Sequence, residues 1–249
     1  MSYSLYPDQV LVFYGSIAGF HDSDCLPVLS EKEIMRAGKF SLEADKRRYI
    51  ISRAILKRLL SQFLHVDEKE IELNYSRNGK PFLSENSDLQ FNSSHAGDAF
   101  VIGFAHGREI GVDVESLNRE LTISNLQTYL FTPAELKLFH TLDRDRWQET
   151  FVDSWTRKEA MLKATGQGLA QSMNTLDLAF IKNRNFALES GSGYQENNTD
   201  WFLESLTLMD NYRGAVAVKG KIRSVQYIRI GESEALFNKR VDDISIKRN

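Results

Sequence analysis

The chain has 249 residues, with 31 Lys and Arg against 34 Asp and Glu, a net charge of −3. Hydrophobic residues make up 42% and charged residues 26%; this is too apolar for a disordered chain, and the near-neutral balance argues against a partner such as nucleic acid or an anionic membrane, which selects for a basic surface. The single cysteine, Cys25, excludes an intramolecular disulfide and a Cys-rich zinc site, and suits a reducing compartment.

The first residues, Met1 to Pro7, carry no basic stretch followed by an apolar run, and no segment approaches the roughly 18 apolar residues a membrane span needs. A cytoplasmic protein without a membrane partner is expected. Val10 to Tyr14 reads as a buried opening strand. Ser30-Glu-Lys-Glu33 is a capping box that starts a helix. A second helix is predicted over 43–64, because Ile51, Ile55, Leu56, Leu59 and Phe63 recur at helical spacing. Ile71 to Tyr75 reads as a strand and Arg77 to Pro81 as a turn built on Asn-Gly. Ala99 to Ala105 and Ile110 to Glu115 read as two strands joined by a tight turn at His106-Gly107. Thr132-Pro-Ala-Glu135 is a second capping box, with Pro133 at the first helical position. A long helix follows over 146–165, ended by Gly166 and Gly168. Residues 190–200 form a polar loop, Trp201 to Leu208 and Ala215 to Val218 a further hairpin, and 246–249 a frayed end.

Three constellations could carry chemistry. In Gly111-Val-Asp-Val-Glu115 the alternation of a strand sends Asp113 and Glu115 to one face, where two carboxylates repel unless a cation lies between them. Taken alone, the pair reads more readily as a solvent-facing stripe. In Trp155 to Lys163, helical spacing puts Trp155, Glu159 and Lys163 on or near one face, and Lys158 about 100° away around the axis. Taken alone, this is an ordinary Glu–Lys pair beside a core Trp. Phe91 to Asp98, with Asn78 to Pro81 before it, supplies hydroxyls, an imidazole and a lysine beside flexible turns, which suits phosphate oxygens. One histidine in a polar loop between strands would look the same.

Together and in this order the three resemble the motifs of the Sfp-type 4'-phosphopantetheinyl transferases. The motifs are Gly79-Lys80-Pro81, Asn92-Ser93-Ser94-His95, Ile110-Gly-Val-Asp-Val-Glu115, Trp155 to Lys163 and Gly166-Gln-Gly168. The resemblance covers about Ser30 to Val218. Ser93 departs from it, since the family places an apolar residue there. For the basic residues that hold the 3'-phosphate of coenzyme A in the family, Arg36, Lys39, Arg47, Arg48 and Arg53 are the candidates, and Arg48 and Arg53 read equally as the solvated face of a helix.

The resemblance implies an α+β fold: two similar subdomains in pseudo-two-fold arrangement, 1–112 and 113–225, with the active site between them and a C-terminal extension, 226–249. It implies transfer of the phosphopantetheine arm of coenzyme A to a serine of an apo acyl or peptidyl carrier protein, with release of adenosine 3',5'-bisphosphate. Asp113, Glu115 and Glu159 would hold Mg²⁺. Glu159 would also take the serine proton, directly or through water. Lys163 would offset charge on the pyrophosphate or the leaving bisphosphate. Lys80, Ser94 and His95 would grip phosphate, with Arg48 and Arg53 as further coenzyme A contacts, and Lys158 could approach the pyrophosphate only from the side. Trp155 is expected to pack rather than react. The implied protein is a monomer that binds no nucleic acid. The alternative is a non-catalytic coenzyme A or carrier-protein binder of the same fold.

Overall fold

The computed structural model describes residues 5–83, 87–119, 122–166, 173–180, 185–187 and 200–231. Strand β1 (Gln9–Ser16) leads to a single helical turn α1 (Asp22–Cys25), then α2 (Glu31–Ala37) and the 22-residue α3 (Glu43–Leu64). Helix α2 starts on the predicted capping box: Glu33 N donates to Ser30 Oγ at 3.4 Å and Ser30 N donates to Glu33 Oε2 at 2.9 Å. Two-residue strands β2 (Asn74–Tyr75) and β3 (Pro81–Phe82) flank a turn with Gly79 at φ +79°. The strand predicted from Ile71 is thus confined to its last two residues. Next come β4 (Leu89–Ala96), β5 (Ala99–His106), β6 (Ile110–Ser116), α4 (Ile123–Leu130), α5 (Pro133–Phe139) and α6 (Trp147–Thr165). The described chain ends with β7 (Asn185–Ala187), β8 (Asp200–Leu206), β9 (Tyr212–Lys219) and β10 (Ser224–Ile230).

The strands form two four-stranded sheets, β10-β1-β5-β4 and β6-β9-β8-β7, beside the small β2–β3 pair. In each half an opening strand is followed by helices and then a hairpin, and the opening strand pairs antiparallel with the last strand of that hairpin: β1 with β5, β6 with β9. The likeness extends to side chains. The capping glutamate of α2, Glu33, holds Lys57 Nζ of α3 at 3.2 Å, and that of α5, Glu135, holds Lys158 Nζ of α6 at 2.5 Å. Both lysines are wholly buried. Eight residues beyond each lysine its helix ends on a left-handed residue, His65 or Gly166.

Helix α3 covers the first sheet with a core around Ile51, Ile55, Leu59 and Phe104, and α6 covers the second around Phe151, Met161 and Trp201. A third cluster, including Val10, Val12, Val101, Val112 and Val216, fills the space between the sheets. Strands β4 and β6 meet along this seam. There Asn92 Oδ1 accepts from Val112 N at 2.9 Å, a side chain doing what a neighbouring strand would otherwise do.

Three sequence expectations change. No β5–β6 hairpin exists: β5 and β6 lie in different sheets, and Gly107, at φ +61°, starts the crossing between them. The expected division after residue 112 falls inside β6, and the chain changes sheet at 107–109. The expected C-terminal extension includes most of β10, which pairs parallel with β1 from Gln9↔Ser224 to Gly15↔Ile230, so the chain returns to its first sheet. The expectations for Gly168, the 190–199 loop and 246–249 lie outside the described residues.

Candidate active site

The seam where β4, β6 and α6 meet gathers most of the predicted chemistry. Helix α6 rides on β6 at Gly111, where a Cβ atom would stand 2.0 Å from Ala160 O and 2.3 Å from Ala164 N. Only glycine permits that approach, and it brings the acidic face of α6 down onto the carboxylates of β6. Asp113 is buried, with 4% of its surface exposed. Its Oδ1 accepts from Lys163 Nζ at 2.6 Å and from Ser94 Oγ at 2.9 Å, and Lys163 Nζ also donates to Ser94 Oγ at 3.0 Å. A strand of the first half, a strand of the second and the long helix thus share one polar knot. Ser94 reaches it from β4, since the motif expected as a loop is a strand paired residue by residue with β5.

The other two acids complete the group. Burial first, then the charge of Asp113, raises the Glu159 carboxyl from the usual 4.5 to about 7, with Glu115 adding to the rise and Lys163 opposing it. Burial and Asp113 raise Glu115 as well, against Arg119, whose Nη1 stands 3.3 Å from Glu115 Oε1. Among the described residues no three acid, imidazole or thiol groups are gathered closely enough to hold a metal ion unaided. One observation nonetheless fits a hard cation. Asp113 Oδ2 is buried and meets no hydrogen-bond donor, so a second carboxylate oxygen is left uncompensated beside Glu115 and Glu159, whose carboxyls its charge helps to raise. Mg²⁺ suits such an oxygen set, drawing its remaining ligands from phosphate and water.

His95 and Arg48 stand beside this knot. Arg48 Nε donates to Gly97 O at 3.0 Å and its Nη1 to Asp45 Oδ1 at 2.6 Å. Desolvation and the Arg48 charge lower the imidazole pKa of His95 below its ordinary value. A separate cleft of about 550 Å³ opens between α2, α3 and residues 69–75, lined in part by Lys32, Arg36, Tyr49 and Tyr75. The Arg36 guanidinium lies over the Tyr49 ring at 5.6 Å and over the Tyr75 ring at 5.2 Å.

Three predicted ligands are placed elsewhere. Lys80 does not face phosphate: its Nζ donates to Ile110 O at 2.9 Å, Lys163 O at 2.8 Å and Ala164 O at 3.3 Å, using all three of its hydrogens. Burial lowers its pKa to about 8. Lys158 lies on the far side of α6, in the second core. It donates to Glu135 Oε2 at 2.5 Å, Leu130 O at 2.7 Å and Met173 O at 3.2 Å, and contacts neither β6 acid. Arg53 is nine-tenths buried, beneath the Arg36 cleft rather than at the knot, with Nη2 donating to Tyr75 Oη at 2.9 Å. Trp155 packs against Tyr129 and Phe151, each at 6.1 Å, as expected. Sequence reasoning left Asn92 without a role, although it lies in the same motif as Ser94 and His95. It also missed Tyr49 and Tyr75, which no spacing relates to Arg36.

The seam between the two like α+β halves is thus acidic and bridged by a lysine. Comparison with known proteins specifies the class. Residues 109–217 match the family model of the 4'-phosphopantetheinyl transferase superfamily, and residues 22–106 that of the 4'-phosphopantetheinyl transferase N-terminal region. The 4'-phosphopantetheinyl transferase HetI of Nostoc sp. is 32% identical over 200 residues, covering 79% of this chain and 81% of that protein. The L-aminoadipate-semialdehyde dehydrogenase-phosphopantetheinyl transferase of Xenopus laevis is 24% identical over 82% of this chain and 72% of its own length. The 4'-phosphopantetheinyl transferase Sfp of Bacillus subtilis is 20% identical over 76% of this chain and 81% of its own. The chain belongs to the 4'-phosphopantetheinyl transferase superfamily, whose members move the phosphopantetheine arm of coenzyme A onto carrier proteins.

Proposed function

We propose that this chain is a Mg²⁺-dependent, Sfp-type enzyme that acts as a monomer on an apo acyl or peptidyl carrier protein in the cytoplasm. The observation that carries the reading is the knot of Asp113, Ser94 and Lys163, with Glu159 raised to about 7 beside it. In the reaction the carrier serine oxygen bonds to the phosphorus that bears the pantetheine arm. The bond from that phosphorus to the bridging oxygen breaks, and its electron pair leaves with adenosine 3',5'-bisphosphate.

Asp113, Glu115 and Glu159 would hold Mg²⁺, which supplies charge neutralisation at the pyrophosphate. Glu159 receives the serine proton, directly or through a water molecule. Lys163, with Ser94, offsets the negative charge that develops on the leaving bisphosphate. Arg48 and His95 face the nucleotide end of the donor. Tyr49, next to Arg48 along α3, leads from there to the cleft where Lys32 and Arg36 offer cations for the 3'-phosphate.

The test is intact-mass spectrometry of an apo carrier protein mixed with this protein, coenzyme A and Mg²⁺, beside an EDTA control. A Mg²⁺-dependent gain of one phosphopantetheine arm on the carrier is expected. No gain on either an acyl or a peptidyl carrier, from folded protein with coenzyme A bound, would overturn the reading in favour of a non-catalytic binder.

A further inference from the structure

Lys80 lies in the first half, on the turn before β3, yet every acceptor of its ammonium lies beyond the sheet crossing. One is Ile110 O on β6; the others, Lys163 O and Ala164 O, belong to the last turn of α6. Lys163 O also accepts the long capping bond from Gly166 N, at 3.4 Å, and the C-terminal end of a helix dipole favours a cation. Two residues before Lys80, Asn78 Nδ2 donates to Gly166 O at 2.7 Å, the carbonyl at which α6 stops. The turn therefore grips the end of α6 at three carbonyls and β6 at one.

The gripped place is where helix and strand are already closest, at Gly111 against Ala160 and Ala164. It is also where β6 lacks a strand neighbour on its outer side, since β6 is an edge of its sheet. First-half side chains serve that edge in its place: Lys80 at Ile110 O and Asn92 at Val112 N. Lys163 belongs to the gripped turn, Glu159 stands one turn earlier, and Asp113 and Glu115 follow Ile110 along β6. A shift of α6 along β6 would move the first pair against the second.

We propose that Lys80 is a positioning residue: from the first half it fastens the last turn of α6 to β6 and so fixes Lys163 and Glu159 relative to Asp113 and Glu115. The inference rests on the transferase reading, and its test separates the two. Lys80→Met keeps the apolar stem and removes the three hydrogen bonds. Hydrogen exchange across residues 163–166 reads the fastening without any activity. Exchange there is expected to accelerate in Lys80→Met relative to the wild type, and unchanged exchange would overturn the proposal.

Kinetics with coenzyme A and 3'-dephospho-coenzyme A read the positioning. The expected result is a fall in kcat of about tenfold or more with both donors, and an unchanged ratio of their KM values, because misplacement of reacting groups acts on turnover. A KM rise confined to coenzyme A would make Lys80 a 3'-phosphate ligand and overturn the proposal. If Lys80→Met does not fold, Asn78→Ala removes the exposed point of the grip and is expected to show the same pattern at smaller amplitude; wild-type exchange and kinetics in that variant would overturn it equally. A wild-type protein that transfers nothing sinks the transferase reading, and the exchange measurement still decides the fastening.

Discussion

Lys163 Nζ stands 2.6 Å from Asp113 Oδ1, while the other oxygen of the same carboxylate, Oδ2, is buried without a donor. The lysine compensates half of a buried acid. Removing it by Lys163→Met leaves that acid unpaired, at a cost of about 1–2 kcal/mol once the exposure of the lysine is allowed for. The melting temperature of the metal-free protein should fall by about 2–8 °C for a chain of this size. Mg²⁺ should raise it more in the variant than in the wild type, because a cation at Oδ2 then supplies the missing charge. Calorimetry with and without Mg²⁺ checks this, and an equal Mg²⁺ response in both proteins would remove Asp113 from the metal set. Turnover of the variant should drop about 100-fold, since the other cations in this part of the helix, Arg157 and Lys158, are engaged with Ser205 and Glu135 away from the knot.

Glu159 shows a pH signature. Its folded value, about 7, lies above the usual 4.5, so between those values the folded protein holds more protons than the unfolded chain. Stability of the metal-free protein therefore decreases as pH rises through that window, and the protonated acid is fully favourable only below it. Glu159→Gln removes the penalty. Relative to the wild type, its melting temperature should be unchanged near pH 4 and higher by about 2–4 °C near pH 8, the effect of about 1 kcal/mol after solvent screening. The variant should lose transfer by at least about 100-fold. A stability difference that does not vary with pH would show that Glu159 is not the acid under strain, and near-normal turnover would remove both its base and its ligand roles.

Much of this architecture is legible in the amino-acid sequence alone. Capping boxes are local chemistry, so Ser30–Glu33 and Thr132–Glu135 mark two helix starts correctly. The acid pair on β6 follows from strand alternation and the Glu159–Lys163 face from helical spacing. What stays hidden is non-local. Nothing near Lys80 in sequence reveals that its acceptors lie 30 and 83 residues away. Lys158 looks like a surface charge because the acid that buries it is Glu135, on another helix. The same pairing of a capping glutamate with a long-helix lysine recurs as Glu33–Lys57, so the two halves share a plan that their sequences do not display as a repeat. Gly107 reads as a hairpin turn because alternation on both sides is the same whether the strands pair or part into separate sheets.

The nucleotide end of the donor gives the last prediction. His95 lies beside Arg48, and burial together with that charge lowers its pKa, so the imidazole favours the neutral form. As a neutral ring it can donate one hydrogen bond to phosphate. Arg36 is different: its guanidinium lies over the Tyr49 and Tyr75 rings in a cleft open to solvent. A hydrogen bond involving a charged group contributes about 1.5–3 kcal/mol, or roughly 10–100-fold in affinity. Arg36→Ala and His95→Ala should each raise KM for coenzyme A by about that factor and leave kcat nearly unchanged. With 3'-dephospho-coenzyme A neither variant should differ much from the wild type, because the group they contact is gone. Equal KM increases with both donors would place the contact on the adenine or the pyrophosphate instead. A fall in kcat confined to His95→Ala would bring the imidazole into the chemistry beside Lys163 and Ser94.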